Sequence, residues 1–365
     1  MATVSRWSTS EVIPTIDLSS FASGTALPNP RALATAADID ATLRRIGFLK
    51  VVGHGVEPEV KRRFFDAIRE FFALPLADKR ALAIGKSGHA HRGYVGLATE
   101  TLAGALAEAD DLAAGGVIDR AAAGALAGDL KETLDTGNDD PPDHPEVLAG
   151  TPTFGANQLP DLPGWGEAFH AYRGAGIEAV LRMYRALSLA LWLDPYWFES
   201  QPGETMYQLR IIHYPPQDRV TPEPGQLGCG AHTDYGSITI LADDGVGGLQ
   251  VRQRSGEWVD IAIGSDELVV NLGDLMAIWT NDRWVSNPHR VINPVGVDRY
   301  SSPLFVTPPY HARIEPLAAC IEPGERAHYD AQVSGPYLLA RFDGTHSYRN
   351  ALLDDYNRTH AGTSG

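Results

Sequence analysis

Between Val60 and Phe72 apolar residues recur at intervals of three and four, the period of a helix with one buried stripe. The spacing predicts amphipathic helices over residues 31–46 and 57–73, with a short strand at 47–52 between them, and so an N-terminal α/β layer. A longer helix is expected from Gly164 to Pro195, where Tyr172, Ile177, Val180, Leu181, Tyr184, Leu187 and Leu191 trace the buried face. From Gln208 onward the rhythm changes to short apolar runs bounded by Gly, Pro and Asp. Leu209–Tyr214, Ser237–Ala242, Leu249–Arg252, Trp258–Ile261, Glu267–Asn271, Met276–Thr280, Arg290–Asn293 and Ser302–Thr307 read as strands. Short strands at this regular spacing predict a sandwich or jelly roll. The expected class is α+β, with a mainly β core and supporting helices.

Composition changes the picture only a little. The chain of 365 residues, 44% of them apolar, has ample material for a core, and one large domain is as admissible as two. Pro141 to Pro163 is dense in Pro, Asp and Gly and reads as loop, whereas 101–128 is an Ala/Gly-rich stretch that reads as an insertion, with a lid or an oligomer contact as the other reading. A formal charge of −16 argues against nucleic acid or an anionic membrane as partner. The two cysteines, Cys229 and Cys320, are too few for a disulfide framework and suit a reducing compartment. Met1 to Ser10 holds no apolar signal region, and no run of about 18 uncharged apolar residues exists, so a cytoplasmic protein is expected.

The chemistry concentrates in Gly228–Ala242, where a glycine-rich approach leads into His232-Thr233-Asp234. In an extended chain residues i and i+2 share a face, so His232 and Asp234 offer an imidazole nitrogen and a carboxylate oxygen together. A third donor, His289, opens a later strand-like run. Two histidines and one carboxylate on one side of a metal, with the other side open, suit non-haem Fe(II) that activates O2. His328-Tyr329-Asp330 repeats the His-x-Asp pattern but lies too near the C-terminus for a third histidine, and is read as a coincidence. Beyond His289, Arg299 and Ser301 again stand at i and i+2 and can clamp one carboxylate by a guanidinium fork plus a hydroxyl.

On these residues the chain resembles the 2-oxoglutarate-dependent Fe(II) dioxygenase superfamily, in the branch that includes isopenicillin N synthase and with features of its bacterial members. The likeness extends to Ile13–Leu18, Gly47–Val56, Phe71–Pro75, Arg92-Gly93-Tyr94, Asp129–Glu132, the 157–160 segment and Tyr337–Phe342. It implies a double-stranded β-helix with iron between its sheets. It divides the chain into an N-terminal region 1–135, a linker and scaffold helix 136–200, a core 201–315 and a C-terminal helical segment 316–365 over the site, all one structural unit. Fe(II), 2-oxoglutarate and O2 are the implied cofactors. His232, Asp234 and His289 would ligate iron, and Arg299, Ser301 and Tyr214 would hold the C5 carboxylate of 2-oxoglutarate. Arg210, four residues before Tyr214, could reach the C1 carboxylate or a substrate. Leu241 and Leu249 would wall the iron pocket. Tyr235, Phe305, Phe342 and Glu100 are substrate candidates. His54, His89, His91 and His213 are read as structural, with His213 facing away from Tyr214.

The implied reaction hydroxylates or desaturates a small molecule, a specialised metabolite or an amino-acid derivative, and releases succinate and CO2. Alternatives stay open: an oxidase of the isopenicillin N synthase type that needs no 2-oxoglutarate, an ethylene-forming-type enzyme, and a non-catalytic binding protein. The sequence leaves the oligomeric state undecided, a monomer included.

Overall fold

The computed structural model describes residues 13–102, 128–223 and 225–345. Most of the expected insertion at 101–128 lies outside these residues.

Two sheets and a set of helices make up the fold. Strands β1 (Thr15–Asp17), β2 (Phe48–Val52), β3 (Gly93–Val95), β4 (Glu132–Asp135), β5 (Met206–Tyr214), β7 (Ile238–Asp243), β10 (Leu268–Leu272) and β12 (Arg299–Thr307) form a major sheet in the order β1-β2-β10-β7-β12-β5-β4-β3. The minor sheet runs β6-β11-β8-β9, from β6 (Cys229–His232), β8 (Leu249–Arg252), β9 (Trp258–Asp260) and β11 (His289–Val291). Pairing is antiparallel except between β1 and β2. A small ladder joins β13 (Arg313–Ile314) to β14 (Gln332–Val333).

Strand alternation divides two cores. Ile238, Ile240, Leu268, Val270, Leu272, Leu304 and Val306 turn to the outer face of the major sheet, against helices α1 (Pro30–Ile46), α2 (Pro58–Phe72) and α4 (Trp165–Ala190). Ile212, Tyr214, Leu249, Val251, Val269 and Val291 turn inward and pack between the sheets. Both faces of the central strands are covered, which is why they read as nearly unbroken apolar runs. The few polar residues in them, such as Asn271 and Thr239, fall on the inner face.

The helices end as their sequences require. Asn29 caps α1 through its side chain, which accepts from the Ala32 N–H, and Pro30 occupies the first helical position. Gly47 closes α1 at φ 68°, and a Cβ there would lie 2.0 Å from the Val285 carbonyl oxygen, so only glycine fits. A short helix α3 (Leu76–Ala81) follows α2. The long helix ends at Ala190, earlier than Pro195.

One expected strand is corrected. Met276–Thr280 is not extended; Asp274–Trp279 forms the short helix α5. The Gly273, Asp274 and Leu275 N–H groups donate to the carbonyls of Ser237, Asp234 and Gly236, which anchors a helical turn over the start of β7. That turn buries Leu275, Met276, Ile278 and Trp279 together, so an apolar run without alternation suits it better than a strand. Helix α6 (Ser334–Thr345) ends the described chain.

Candidate active site

β6 ends at His232, which stands in register with His289 of the neighbouring strand β11; Asp234 follows in the turn between β6 and β7. The imidazole centroids are 4.3 Å apart. Asp234 Oδ1 lies 3.8 Å from His232 Nε2 and 3.7 Å from His289 Nε2. The Nδ1 atoms face the carbonyls of Gly230 at 2.8 Å and Asn287 at 3.3 Å, contacts that favour the Nδ1–H tautomer and leave each Nε2 with a lone pair. The other carboxylate oxygen, Oδ2, accepts from Thr239 Oγ1 at 2.5 Å and Asn271 Nδ2 at 2.6 Å.

Burial works to raise the Asp234 carboxyl, but His289 and His232 and these two hydrogen bonds outweigh it and hold it below the ordinary carboxylate range. Burial and the neighbouring His232 depress His289 to about 4. With each Nδ1 turned to a carbonyl, the group offers two imidazole Nε2 atoms and one carboxylate oxygen, with donor atoms all within 4.8 Å of one another. That donor set could hold one Fe(II), and the fixed tautomers and the braced carboxylate are the outer-shell support such a site needs.

The same cavity reaches Arg299, Ser301 and Tyr214. Arg299 is fully buried; its Nε donates to the Gly247 carbonyl and its Nη2 to Asp243 Oδ2 at 3.3 Å, but Nη1 is buried with no hydrogen-bond partner among the described residues. A buried guanidinium donor left open calls for an acceptor. Tyr214, hydrogen-bonded to Ser301, is pushed up to about 12 by burial, so its hydroxyl stays protonated and can donate. A carboxylate fits this end of the cavity. Leu241 and Leu249 line it as well, with Phe48 set edge-on to His289.

Arg210 meets two carboxylates of its own chain. Its Nε and Nη2 donate to Asp135 at 2.6 and 3.1 Å, and its Nη1 donates to Glu100 at 2.9 Å. Glu100 also pairs with Lys131, which binds Asp129 at 2.6 Å. Sequence reasoning missed Asp129, Lys131 and Asp135 as partners here, and missed Thr239 and Asn271. For Asn271 there was a signal, one amide inside the apolar run Leu268–Leu272. Glu100, Tyr235, Phe305 and Phe342 all line a second cavity, which shares Arg210, His232 and Asp234 with the first.

The remaining histidines lie elsewhere. His54 accepts from the Val56 N–H and faces the Asp266 carbonyl, His213 is held between Glu132 and Asp298, and His328 pairs with Asp282 at the surface. His91 stacks on Phe342. Asp140, His144 and Glu204 also bring donor atoms together, but Glu204 is exposed and His144 Nδ1 already accepts from the Glu146 N–H.

Known proteins resemble this chain over most of its length. Residues 206–308 match the 2OG-Fe(II) oxygenase superfamily, and residues 13–162 match the non-haem dioxygenase in morphine synthesis N-terminal family. The 2-oxoglutarate-Fe(II) type oxidoreductase hxnY of Emericella nidulans is 35% identical over 319 residues, 84% of this chain and 85% of that protein. Proline hydroxylase buaE of Petromyces alliaceus is 30% identical over 303 residues, 80% of this chain and 88% of its own length. The crystal structure of a full-length Neurospora crassa protein in complex with alpha-KG superposes with a TM-score of 0.72 at 29% identity, covering 91% of this chain and 96% of that one. The chain belongs to the 2OG-Fe(II) oxygenase superfamily. It is an oxidoreductase whose cofactors are Fe(II), 2-oxoglutarate and O2. Among the described residues no helix is long and apolar enough to cross a membrane.

Proposed function

We propose that His232, Asp234 and His289 hold the Fe(II), and that Arg299, Ser301 and Tyr214 hold the far carboxylate of 2-oxoglutarate. The observation that carries this reading is the buried, open Nη1 of Arg299 at the end of the cavity that begins at the three donors. Bound there, Fe(II) and 2-oxoglutarate supply O2 activation coupled to decarboxylation, with succinate and CO2 as products. The chain's own part is positional. Thr239 and Asn271 fix the carboxylate, the Gly230 and Asn287 carbonyls fix the imidazoles, and Leu241 and Leu249 exclude water.

The substrate on this reading is a small molecule, hydroxylated or desaturated in the second cavity beside Arg210, Glu100, Tyr235, Phe305 and Phe342. On the same reading the enzyme works in the cytoplasm, and Leu338 and Phe342 of the C-terminal helix border the second cavity.

Anaerobic titration of the Fe(II)-loaded protein with 2-oxoglutarate tests the assignment through the weak visible charge-transfer band of the chelate. The wild type is expected to show it, His232→Ala to lose it, and Arg299→Lys to need more 2-oxoglutarate. Iron binding without the band in the wild type would overturn the cosubstrate assignment, and no iron binding would overturn the ligand assignment.

A further inference from the structure

The inner faces of β5 and β12 form one floor. Their antiparallel register sets Arg299 against Tyr214, Ser301 against Ile212, Phe305 against Gln208 and Thr307 against Met206. Alternate residues therefore share this face in two rows, Tyr214-Ile212-Arg210-Gln208-Met206 and Arg299-Ser301-Pro303-Phe305-Thr307. The first cavity takes the Tyr214–Arg210 part and the second the Arg210–Gln208 part. A third cavity continues over Gln208 and Met206, and shares Gln208, Thr307, Leu338 and Phe342 with the second. The three are one trench, with Arg299, Ser301 and Tyr214 at one end and His232 and Asp234 where the first and second cavities meet.

At the other end lies Arg92, 5% exposed. Its Nη1 and Nη2 donate to the carbonyls of Ala90 and Thr153, at 2.8 and 2.6 Å, and its Nε is buried with no partner. Among the described residues no carboxylate is paired with it. Asp140 lines the same cavity, but its Oδ2 accepts from the Gly155 N–H. Burial depresses the Arg92 guanidinium to about 10, so it keeps its charge near neutrality. Gln208 adds a second open donor, Nε2, to the same cavity. Asp140, Asp135 and Asp139 act on the Arg92 charge from nearby without pairing with it, so what the cavity leaves open is two buried N–H donors, which call for an acceptor.

Resting on the iron and 2-oxoglutarate reading above, we infer that this end of the trench is a substrate subsite for a carboxylate, held by Arg92 and Gln208. The four residue steps from Arg210 to Met206 span about 13 Å at about 3.3 Å each, the reach of roughly ten methylene groups. The substrate class is thus an elongated monocarboxylate, oxidised near the end remote from its acid group. Phe342 and Leu338 of α6 line the second and third cavities and would bear on its apolar middle.

The test is calorimetric titration of the anaerobic Fe(II)–2-oxoglutarate enzyme with decanoate, decanamide and hexanoate. Decanoate is expected to bind at least about ten-fold tighter than decanamide or hexanoate, and Arg92→Gln to remove that preference. Because Arg92 also ties Ala90 to Thr153, its variant could fail to fold; Gln208→Leu, with no such ties, is expected to lower decanoate affinity by about three-fold or more. Both variants should keep the wild-type 2-oxoglutarate charge-transfer band. Equal binding of acid and amide, or a Gln208→Leu protein that binds decanoate like the wild type, overturns the subsite while that band stays intact. Loss of the band in the wild type instead removes the reading beneath it.

Discussion

Arg299 and Tyr214 stand opposite one another across the β5–β12 pair, with the guanidinium carbon 4.8 Å from the centre of the phenol ring. Held over that ring and bonded to Gly247 and Asp243, the guanidinium leaves Nη1 as its one nitrogen without a partner, on a side chain that lines the cavity. Arg299→Lys keeps the charge but loses the fork and the stacked plane. The concentration of 2-oxoglutarate that half-saturates the charge-transfer band should rise about ten-fold or more. An unchanged midpoint would remove Arg299 from the clamp. Arg299→Ala is a poorer variant, because it strands the buried Asp243 carboxylate at a cost of about 3–5 kcal/mol in folding.

Asn271 holds Asp234 from a different strand, so its role separates from that of the ligand itself. Asn271→Ala removes one of two donors to Oδ2 and frees the carboxylate to rotate. Outer-shell losses of this kind weaken metal sites by about 10–100-fold. Titration of the apo-protein with Co(II), followed by its visible spectrum, should show that weakening while circular dichroism stays unchanged. Wild-type Co(II) affinity in the variant would mean Thr239 alone suffices.

The difference between what could and could not be read beforehand is one of distance along the chain. His232 with Asp234, and Arg299 with Ser301, are i, i+2 pairs, so each announces a shared face without any fold. Asn271 reaches Asp234 only because β10 and β7 lie side by side, and Arg210 reaches Glu100 only because β5, β4 and the chain before it converge. Nothing local encodes either meeting. The misread run at Met276–Thr280 has the same origin. Its apolar residues are compatible with either element, and the contacts that select helix come from the carbonyls of Asp234, Gly236 and Ser237. Thr239 and Asn271 interrupt runs that are otherwise apolar, but only the pairing of β7 with β10 sets them on one face beside Asp234.

Glu132 links pH to stability. It accepts from Lys79 Nζ at 2.7 Å, Tyr94 Oη at 2.5 Å and faces His213 Nδ1 at 2.8 Å. Burial alone would raise its carboxyl, but the hydrogen bonds from His213, Lys79 and Tyr94 bring it below its ordinary 4.5. A folded-state value below the unfolded one stabilises the protein above pH 4.5, and that stabilisation disappears as pH falls through the lower folded value. Glu132→Gln should therefore cost about 3 kcal/mol at neutral pH, with the difference from wild type shrinking as the medium becomes acid. Urea unfolding at pH values from neutrality downward measures this. A difference independent of pH would show that packing, not charge, carries the contribution.

Two glycines with ordinary backbone angles should respond to alanine in opposite ways. Gly273 sits at φ −100°, which any residue adopts, but an added Cβ would lie 2.3 Å from the Gly236 carbonyl oxygen and 3.0 Å from that of Asp234. Those atoms are backbone and cannot rotate aside, so Gly273→Ala must push the 234–236 turn away from α5. A loss of about 1–3 kcal/mol in stability is expected. Because Asp234 belongs to the displaced turn, Co(II) affinity should fall with it. Gly174, in the middle of α4, has nothing within 4 Å of the added Cβ. There alanine only restricts the unfolded chain and favours the helix, for a gain of about 0.5–1 kcal/mol. Chemical unfolding and Co(II) titration of both variants decide the matter. A Gly273→Ala protein with wild-type stability and metal affinity would show that α5 and the Asp234 turn move independently, contrary to the close packing described for them.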